Sequence, residues 1–426
     1  MTLPLSLHAY RLATRLLTPL SGALIGWRLK RGKEDRRRWP ERRGLASIAR
    51  PKGALVWLHG ASVGEATSLL PLVDRLTQGG RNVLVTTGTV SSANLLAQRL
   101  PAGAVHQFAP FDAPLYVRRF LEHWRPELAL FAESELWPNL LLETSRAGAP
   151  IVLVNARMSA RSFARWRNAP QFIGALLARL DLCLAQSQGD ADRLAQLGAP
   201  QAQVSGNLKY DVPAPPADRA QLAALSGLTS GRPIWIAAST HEGEEMIAAR
   251  AHGIVAATRV DLLTLVAPRH CERGPAIAAQ LRAAGFACAL RSERALPGPE
   301  VSIYICDTMG ELGLFYRLAG VVLLGKSLTG EGGQNPIEPA KLASAILHGP
   351  NVANFDDIYA LLDAVGGATT VVDAPSLAAA LNVLFGDGAQ MRAMARAAAQ
   401  AVEGRAGAVE RAMRALERYL APEERR

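Results

Sequence analysis

Short apolar runs alternate with longer stretches of helical spacing along the chain from Ala54 onward. In the first half, the apolar runs lie at 54–58, 82–86, 105–108, 128–131, 151–154 and 182–185. In the second half, they lie at 234–238, 262–266, 301–306, 321–324, 345–347 and 370–372. Runs without polar alternation are typical of parallel strands that helices cover on both faces. The pattern therefore predicts an α/β protein with two Rossmann-like, doubly wound sheets.

A proline-rich segment separates the two series of strands. Residues 212–217 read Val-Pro-Ala-Pro-Pro-Ala, with too few backbone donors for a strand and too many prolines for a helix. We predict a linker at 213–231 between Rossmann-like domains at 45–212 and 232–388, which would face each other across a cleft. Residues 389–426 are rich in Ala and Arg, have helical spacing, and are predicted to pack on one or both domains. A chain of 426 residues is long enough for two such cores.

Residues 1–44 combine an amphipathic stretch with a basic belt. Between Arg28 and Arg43, nine Lys and Arg side chains stand against three acids, so this belt carries +6 of the chain's net charge of +10. The leucines that could share one helical face are Leu5, Leu12, Leu16 and Leu20. The uncharged run 16–27 is too short to cross a bilayer. We interpret 1–44 as a membrane-surface anchor, while a full span, an ordinary packed helix and a nucleic-acid arm remain open.

Neither the cysteines nor the paired acids indicate a metal site. The four cysteines have no paired short spacing: Cys183, Cys271, Cys288 and Cys306. This excludes a recognisable zinc or disulfide framework and indicates a reducing compartment. Asp190 and Asp192 superficially resemble the metal-binding acids of many sugar transferases. Because they follow Ser187 at a predicted helix start, we interpret them as first-turn acids.

Polar loops follow the predicted strands of the first half, where doubly wound sheets bind their ligands. Glu65 follows the first strand, Glu133 and Glu135 follow the fourth, and Lys209 lies near the end of the domain. The glycine spacing before Glu65 misses the dinucleotide fingerprint, which argues against NAD. Glu65 also fits the first turn of a helix, where the helix dipole alone favours an acid. The arginine-serine series at 155–166 suits either anionic phosphate groups or a solvated helix face.

The loops of the second half suggest an anion site. Arg269 follows a predicted strand and is a natural phosphate ligand. Residues 321–341 read as a buried strand, a glycine-rich loop and a helix start, with Asn335 as the N-cap, Pro336 at the first helical position and Glu338 three residues after the cap. Glycines let backbone N–H groups approach an anion, so the segment predicts a phosphate pocket.

Two other interpretations of the same segment remain. Residues 320–327 match the sequence motif of a P-loop, but the four variable positions of the motif form the apolar strand itself. No loop is therefore left to wrap a triphosphate. Alternatively, Asn335 and Glu338 only cap a helix, and the glycines only serve the turn.

Taken together, these loops resemble the 3-deoxy-D-manno-octulosonic acid (Kdo) transferases of lipopolysaccharide synthesis, which are membrane-associated glycosyltransferases of the GT-B fold. The resemblance covers roughly residues 28–420. The motifs that carry it, in chain order, are 59–66, 133–139, 155–161, 206–211, 268–270, 309–312 and 332–339.

The resemblance implies a role for each matching residue. Glu65 matches the general base that activates the acceptor hydroxyl, and Glu133 and Lys209 match residues that stabilise the transition state. The residues that match contacts to CMP are Pro268, Arg269, Met309, Gly310, Glu311, Asn335, Pro336, Ile337 and Glu338. The implied donor is CMP-Kdo, the implied acceptor is the lipid A precursor lipid IVA, and the implied transfer inverts the anomeric centre. The resemblance further implies no metal or other cofactor, and a location on the cytoplasmic side of the inner membrane.

Two positions depart from the family pattern, and other functions compete with it. Lys326 replaces the second glycine of Gly-Gly-Ser-Leu, and Gln334 replaces the histidine of Gly-Gly-His-Asn-Pro. The competing enzyme class is a GT-B nucleotide-sugar epimerase or a transferase that uses a UDP-sugar. A non-catalytic membrane-recruited module is the alternative from another class. We do not expect nucleic acid as a partner.

Overall fold

The chain folds as two compact units in the computed structural model, which describes residues 3–421. The first unit comprises the described parts of 1–212 and 405–426, and the second comprises 213–404. Each unit contains one seven-stranded sheet in which all neighbouring strands are parallel. The prediction of two Rossmann-like, doubly wound sheets is therefore confirmed.

The first unit contains the following elements. Its strands are β1 (Leu55–His59), β2 (Asn82–Thr87), β3 (Ala104–Phe108), β4 (Leu128–Ala132), β5 (Ile151–Ala156), β6 (Leu182–Ala185) and β7 (Ala202–Val204). Its helices up to the end of the sheet are α1 (Leu5–Leu17), α2 (Ser21–Lys30), α3 (Val63–Gln78), α4 (Val90–Arg99), α5 (Pro114–Trp124), α6 (Pro138–Arg146), α7 (Ala160–Trp166), α8 (Pro170–Leu177) and α9 (Gln188–Gln196).

The order of strands in the first sheet is β3-β2-β1-β4-β5-β6-β7. In the register, Leu55 of β1 pairs with Asn82 of β2, and Val56 of β1 pairs with Leu128 of β4. The chain therefore runs from β1 out to β3 and then returns to place β4 on the other side of β1. The loops after β1 and β4 diverge at this switch point, where doubly wound sheets bind their ligands.

The second unit repeats this plan. Its strands are β8 (Ile234–Thr240), β9 (Leu263–Pro268), β10 (Cys288–Leu290), β11 (Ile303–Ile305), β12 (Val321–Leu324), β13 (Ala345–His348) and β14 (Ala368–Thr370), in the order β10-β11-β9-β8-β12-β13-β14. Its helices are α10 (Arg219–Leu228), α11 (Glu244–Ala256), α12 (Gly274–Ala283), α13 (Leu312–Leu318), α14 (Ile337–Lys341), α15 (Asp356–Ala364), α16 (Ala374–Gly386) and α17 (Gly388–Glu403). The switch point here lies between β8 and β12.

Both ends of the second unit differ from the boundaries that the sequence suggests. The predicted linker 213–231 is part of the second unit and contains α10, whose first turn is capped by the Asp218 carboxylate, which accepts a hydrogen bond from the Gln221 N–H. Prolines exclude a helix only up to residue 216, so the linker interpretation was wrong for α10. The last described helix, α18 (Ala408–Leu420), returns to the first unit.

Burial explains why α18 joins the first unit while α17 stays with the second. Ala412 and Leu416 of α18 are buried in the same cluster as Leu69 and Val73 of α3. The Asp211 carboxylate accepts hydrogen bonds from the backbone N–H groups of Gly407 and Val409, each at 2.6 Å. The helix is thus fixed at its start by a cap and along its length by apolar contact.

Helices α1 and α2 pack on the first unit through few residues and leave an apolar surface exposed. Leu7 and Ile25 are buried. The exposed leucines include all four of the predicted face, with Leu5 87% and Leu16 69% exposed: Leu5, Leu12, Leu16, Leu17, Leu20 and Leu24. Within residues 3–421, no helix is both long and apolar enough to span a membrane. We call Leu12, Leu16, Leu17, Leu20 and Leu24 the leucine ridge.

The basic belt is partly built into the first unit rather than wholly solvated. The buried Glu34 carboxylate binds the Arg42 Nε at 2.9 Å and the Arg28 Nε at 2.8 Å. Arg38 and Glu41 form a further pair at 2.9 Å, and the Arg42 guanidinium also donates to the carbonyl of Gly88 at 2.8 Å. These arginines therefore hold the belt against β2 and β3, and the remaining basic side chains supply its exposed charge.

Candidate functional site

Glu65 lies in the first turn of α3, immediately after β1. The Ser62 side chain accepts a hydrogen bond from the Glu65 N–H, and the Glu65 carboxylate accepts one from the Ser62 N–H at 3.0 Å. Burial raises the pKa of Glu65, and the nearby charges of Glu135 and Glu133 raise it further. The capping interpretation is therefore confirmed, and it leaves room for the predicted role as a base, because a capping carboxylate with a raised pKa can also accept a proton.

Glu135 lies at the strand end where the sequence placed it, but the sequence did not assign it a role. Its Oε2 lies 3.2 Å from the His59 Nε2 and accepts a hydrogen bond from the Trp137 indole. Burial disfavours the charge of Glu135, but the hydrogen bond and charge of His59 and the bond from Trp137 outweigh it and lower the pKa. Two neighbouring carboxylates, Glu65 and Glu135, thus have pKa values shifted in opposite directions, as is common at catalytic sites.

Glu133 and Lys209 form an ion pair, with the Lys209 Nζ 2.7 Å from the Glu133 Oε1. Glu133 adopts a φ of 50°, and the buried Asn155 at the end of β5 adopts 51°. The Asn155 amide contacts Glu133 and the residue before Lys209, because its Oδ1 accepts a hydrogen bond from the Leu208 N–H at 2.9 Å and its Nδ2 lies 3.5 Å from the Glu133 Oε1. Residues in this sparsely populated region cluster at functional sites. The structure thus brings Glu65, Glu133 and Lys209 to one edge of the first sheet.

Asp112 connects the amino-terminal helix to the loop that carries Glu133 and Glu135. Its carboxylate accepts hydrogen bonds from the Tyr10 hydroxyl at 2.9 Å and from the Asn139 and Leu140 N–H groups at 3.1 Å and 2.8 Å. Burial raises the pKa of Asp112, while these hydrogen bonds oppose the rise. The start of α6, directly after the Glu135 loop, is therefore fixed to α1 through one buried carboxylate.

A basic cluster lies at the carboxyl edge of the second sheet, after β8, β9 and β12. Pro268 is the last residue of β9, and Arg269 and His270 after it are exposed. Partial burial lowers the pKa of His241; the Glu244 charge opposes this shift, and the charges of Lys326, His270 and Arg269 reinforce it. Positive charge from the loops after β9 and β12 thus converges beside His241 in the loop after β8, which suits an anionic ligand.

The segment Met309–Glu311 lies at the same edge, after β11. Met309 is 75% exposed, and Gly310 adopts a φ of +84°. The Arg291 guanidinium donates two hydrogen bonds to the Glu311 carboxylate, at 3.1 Å and 2.7 Å. The hydrogen bond from Arg291 is the main cause of a lowered pKa of Glu311. The Glu311 carboxylate is therefore ionised and held in place before any ligand binds.

The helix start at 335–338 differs in detail from its prediction. Helix α14 begins at Ile337 and has five residues, so Pro336 takes the cap position rather than the first helical position. The Asn335 side chain still accepts a hydrogen bond from the Ile337 N–H, at 3.1 Å. Glu338 lies in the first turn. The prediction that Asn335 directs its side chain at this helix start is correct, and the predicted boundary is off by one residue.

The glycine-rich loop after β12 is organised by Glu244, which the sequence alone did not reveal. The buried Glu244 carboxylate accepts hydrogen bonds from the backbone N–H groups of His241 (2.8 Å), Lys326 (2.7 Å), Ser327 (3.0 Å) and Leu328 (3.0 Å). These N–H groups form an anion nest that a protein carboxylate already fills. The predicted phosphate pocket is therefore wrong for this half of the loop.

Lys326, which replaces a glycine of the family pattern, has a strained backbone conformation. Lys326 adopts a φ of +56°, a region in which glycine is favoured and other residues are strained. We expect Lys326→Gly to raise the free energy of unfolding of the second unit by about 0.5–1 kcal/mol, because relief of strain exceeds the added freedom of the unfolded chain. Lys326→Ala removes the charge but keeps the strained backbone, so calorimetry should show no gain for it. Equal stability changes in the two variants would contradict this explanation.

The candidate metal ligands do not converge. Among residues 3–421, no group of three or more His, Cys, Asp and Glu side chains has an arrangement that could hold a metal ion. Asp190 accepts a hydrogen bond from the Met158 N–H at 2.8 Å and lies in the first turn of α9, which confirms its interpretation as a first-turn acid. For Asp192 the interpretation was wrong, because this residue lies beyond the first turn, where its carboxylate accepts a hydrogen bond from the Gln188 side chain. The cysteines are free thiols.

Solved structures of similar shape fix the fold type. A UDP-GlcNAc 2-epimerase from Neisseria meningitidis matches with a TM-score of 0.60 at 12% identity, covering 86% of this chain and 100% of that one. A glycosyltransferase from Rickettsia africae ESF-5 matches with a TM-score of 0.57 at 12% identity, covering 87% and 98%. At such low identity the likeness concerns the fold alone, and it confirms the GT-B prediction.

Sequence relatives identify the family. Residues 37–212 match the family model described as 3-deoxy-D-manno-octulosonic-acid transferase. A 3-deoxy-D-manno-octulosonic acid transferase of Bordetella pertussis is 37% identical over 426 residues, which covers 96% of this chain and 99% of that protein. A probable mitochondrial 3-deoxy-D-manno-octulosonic acid transferase of Arabidopsis thaliana is 36% identical over 357 residues, covering 81% and 80%. The resemblance inferred from the loops is thereby confirmed, and the chain belongs to the Kdo transferases, a family of glycosyltransferases.

Proposed function

We propose that this Kdo transferase uses CMP-Kdo as donor and a lipid A precursor such as lipid IVA as acceptor, and that transfer inverts the anomeric centre. The observation that carries the proposal is the raised pKa of Glu65 beside two further carboxylates at the switch point of the first sheet. A carboxylate with such a pKa can take the proton of an acceptor hydroxyl as that oxygen attacks the anomeric carbon. Attack from the face opposite the departing CMP inverts that carbon.

The second unit would hold the CMP moiety through the three segments that match the family. These are Pro268 and Arg269, Met309–Glu311, and Asn335–Glu338. A CMP leaving group carries a single phosphate, so Arg269 and the neighbouring charge of Lys326 would neutralise it without a metal. In the first unit, the Lys209 ammonium beside Glu133 would stabilise the developing charge of the transition state.

Attachment to a membrane surface forms part of the same proposal. An acylated acceptor resides in a bilayer, and the leucine ridge next to exposed basic residues fits the headgroup region of the membrane. The cytoplasmic side of the inner membrane is the location that this function requires.

The decisive experiment is incubation of the full chain with CMP-Kdo and lipid IVA, with products counted by mass. We expect Kdo adducts on lipid IVA and release of CMP, also in the presence of EDTA, because no step of the proposal needs a metal. CMP, but not UDP, should raise the melting temperature. Turnover of a UDP-sugar in place of CMP-Kdo, or dependence on added metal, would overturn the proposal.

Glu135→Gln tests the electrostatic origin of the raised pKa of Glu65. The Glu135 charge makes Glu65 harder to ionise, so its removal lowers the pKa of Glu65 and keeps the base ionised to lower pH. In a plot of kcat/KM against pH, we expect the acidic limb to move to lower pH. The plateau value of kcat/KM should fall, because Glu65 with a lower pKa is a weaker base. The exposed Glu127, changed to Gln, serves as the control. An acidic limb at the parent position in Glu135→Gln would contradict the assignment of Glu65 as the base.

A further inference from the structure

A cationic cavity in the first unit lies outside the residues assigned to catalysis. It has a volume of about 810 Å³ and lies between the connection of α1 to α2 and helix α5. Its charged lining consists of four arginines and one glutamate: Arg15, Arg43, Arg118, Arg119 and Glu122. Four positive charges minus one negative charge leave +3 on the walls of one cavity, which favours an anionic ligand.

Most of this charge is not used by the fold. Arg15 and Arg119 are exposed, and within residues 3–421 neither forms a salt bridge or a side-chain hydrogen bond. The buried Nε of Arg43 likewise has no hydrogen-bond partner among the described residues, and its guanidinium lies 5.2 Å from the centre of the Trp39 ring. Arg118 is the arginine of this lining that forms a hydrogen bond or a salt bridge within the described part of the chain, with the Pro114 carbonyl at 3.2 Å and with Glu143 at 3.6 Å. Three guanidinium groups therefore remain available to a ligand.

The cavity adjoins the apolar surface of the amino-terminal helices. Arg15 precedes Leu16 and Leu17 of the leucine ridge, and the lining residues Thr18 and Pro19 precede Leu20. On the opposite wall, Leu115 of α5 is itself 44% exposed. A ligand that satisfies both features has an anionic head for the arginines and acyl chains beside the leucines.

We propose that this cavity binds the phosphate group of an anionic membrane phospholipid. The planar guanidinium group can donate two parallel hydrogen bonds to the oxygens of a phosphate. Several guanidinium groups around one cavity therefore favour binding of an individual phosphate group over non-specific attraction to a negatively charged surface. The cavity thereby fixes how the first unit is oriented on the bilayer, whereas the leucine ridge supplies insertion. This inference rests on the proposed attachment to a membrane surface.

The test compares two double variants of the full chain in their binding to vesicles. Arg15→Gln/Arg119→Gln removes two cavity charges. Arg36→Gln/Arg37→Gln removes two exposed charges of the basic belt that lie outside the cavity. Vesicles of phosphatidylcholine, with or without a fixed fraction of phosphatidylglycerol, serve as probes in co-sedimentation. Both pairs are exposed, and unchanged melting temperatures confirm that the variants are folded.

We expect the cavity variant to lose about 25-fold in affinity for the phosphatidylglycerol vesicles, about fivefold for each arginine near anionic lipid. The loss of affinity in the belt variant should be at least three times smaller than that in the cavity variant. Neither variant should change its binding to pure phosphatidylcholine vesicles. Equal losses in the two variants would overturn the cavity proposal and leave only non-specific charge attraction. Leu16→Ser/Leu20→Ser should weaken binding to both kinds of vesicle, and if it weakens neither, the surface attachment itself is wrong.

Discussion

Glu65→Gln is expected to lower kcat for Kdo transfer by about 10²- to 10⁴-fold, the usual contribution of a positioned general base. The neutral amide cannot accept the proton of the acceptor hydroxyl. Its oxygen can still accept the hydrogen bond from the Ser62 N–H that holds the start of α3, so the fold should persist. CMP affinity, measured by calorimetry, should stay at the parent value because the proposed nucleotide contacts all lie in the second unit.

Ser62→Ala provides the matched control for the structural role of this residue pair. It removes the acceptor of the Glu65 N–H and keeps the carboxylate, so we expect a loss of about 1 kcal/mol in stability. Transfer by the folded Ser62→Ala variant should remain within severalfold of the parent rate. If Glu65→Gln turned over at the parent rate, or if Ser62→Ala matched its loss, Glu65 would be a cap and not the base.

The strands and the chemical residues of the first unit were predictable because each leaves a local signal. A strand covered on both faces is apolar at every position, and β1, β4 and β5 are buried throughout. The carboxyl ends of neighbouring parallel strands meet at one edge, so the sequence alone predicts that Glu65 and Glu133 lie at the same edge. The 2.7 Å contact between Glu133 and Lys209 joins residues 76 positions apart and needed the fold to become visible.

Other elements left weak or misleading signals. The edge strands β7 and β10 have three residues each, too few for a hydrophobic pattern. The last predicted strand, 370–372, is two residues late, because β14 is Ala368–Thr370 and its last two residues are exposed. Helix α18 is helical by its own spacing, but its partner α3 lies more than 300 residues earlier in the chain, and no local pattern encodes that contact.

The glycine-rich loop shows most clearly where local signals mislead. Its glycines indicate an anion nest, and the nest exists, but its anion is the carboxylate of Glu244 from the first turn of α11, the helix after β8. Glu244 has the same local appearance as an ordinary first-turn acid of α11. Only the adjacency of β8 and β12 in the sheet brings it to residues 326–328. The free charge available to a ligand therefore comes from the side chains of Arg269 and Lys326 more than from this part of the backbone.

Glu244→Ala should consequently be among the most damaging single substitutions in the second unit. It would leave four backbone N–H groups without their acceptor, three of them in the loop after β12. Each hydrogen bond to a charged group contributes about 1.5–3 kcal/mol, but water can reach part of the relaxed loop, so we expect a net loss of about 4 kcal/mol. In calorimetry this corresponds to a fall on the order of 10 °C in the melting temperature of the unit. CMP should then bind more weakly, because the loop that leads to Asn335 loses its support.

The exposed neighbour Glu242 is the control for this prediction, since Glu242→Ala removes the same charge without touching the loop amides and should change stability by less than about 0.5 kcal/mol. Glu244→Gln separates charge from hydrogen bonding. Its single oxygen can serve only some of the four donors while its N–H₂ group faces the others, so its stability should lie near that of the alanine variant and far from the parent. A Glu244→Gln protein as stable as the parent would mean that the nest does not depend on a carboxylate, and the loop would again be open to an external anion.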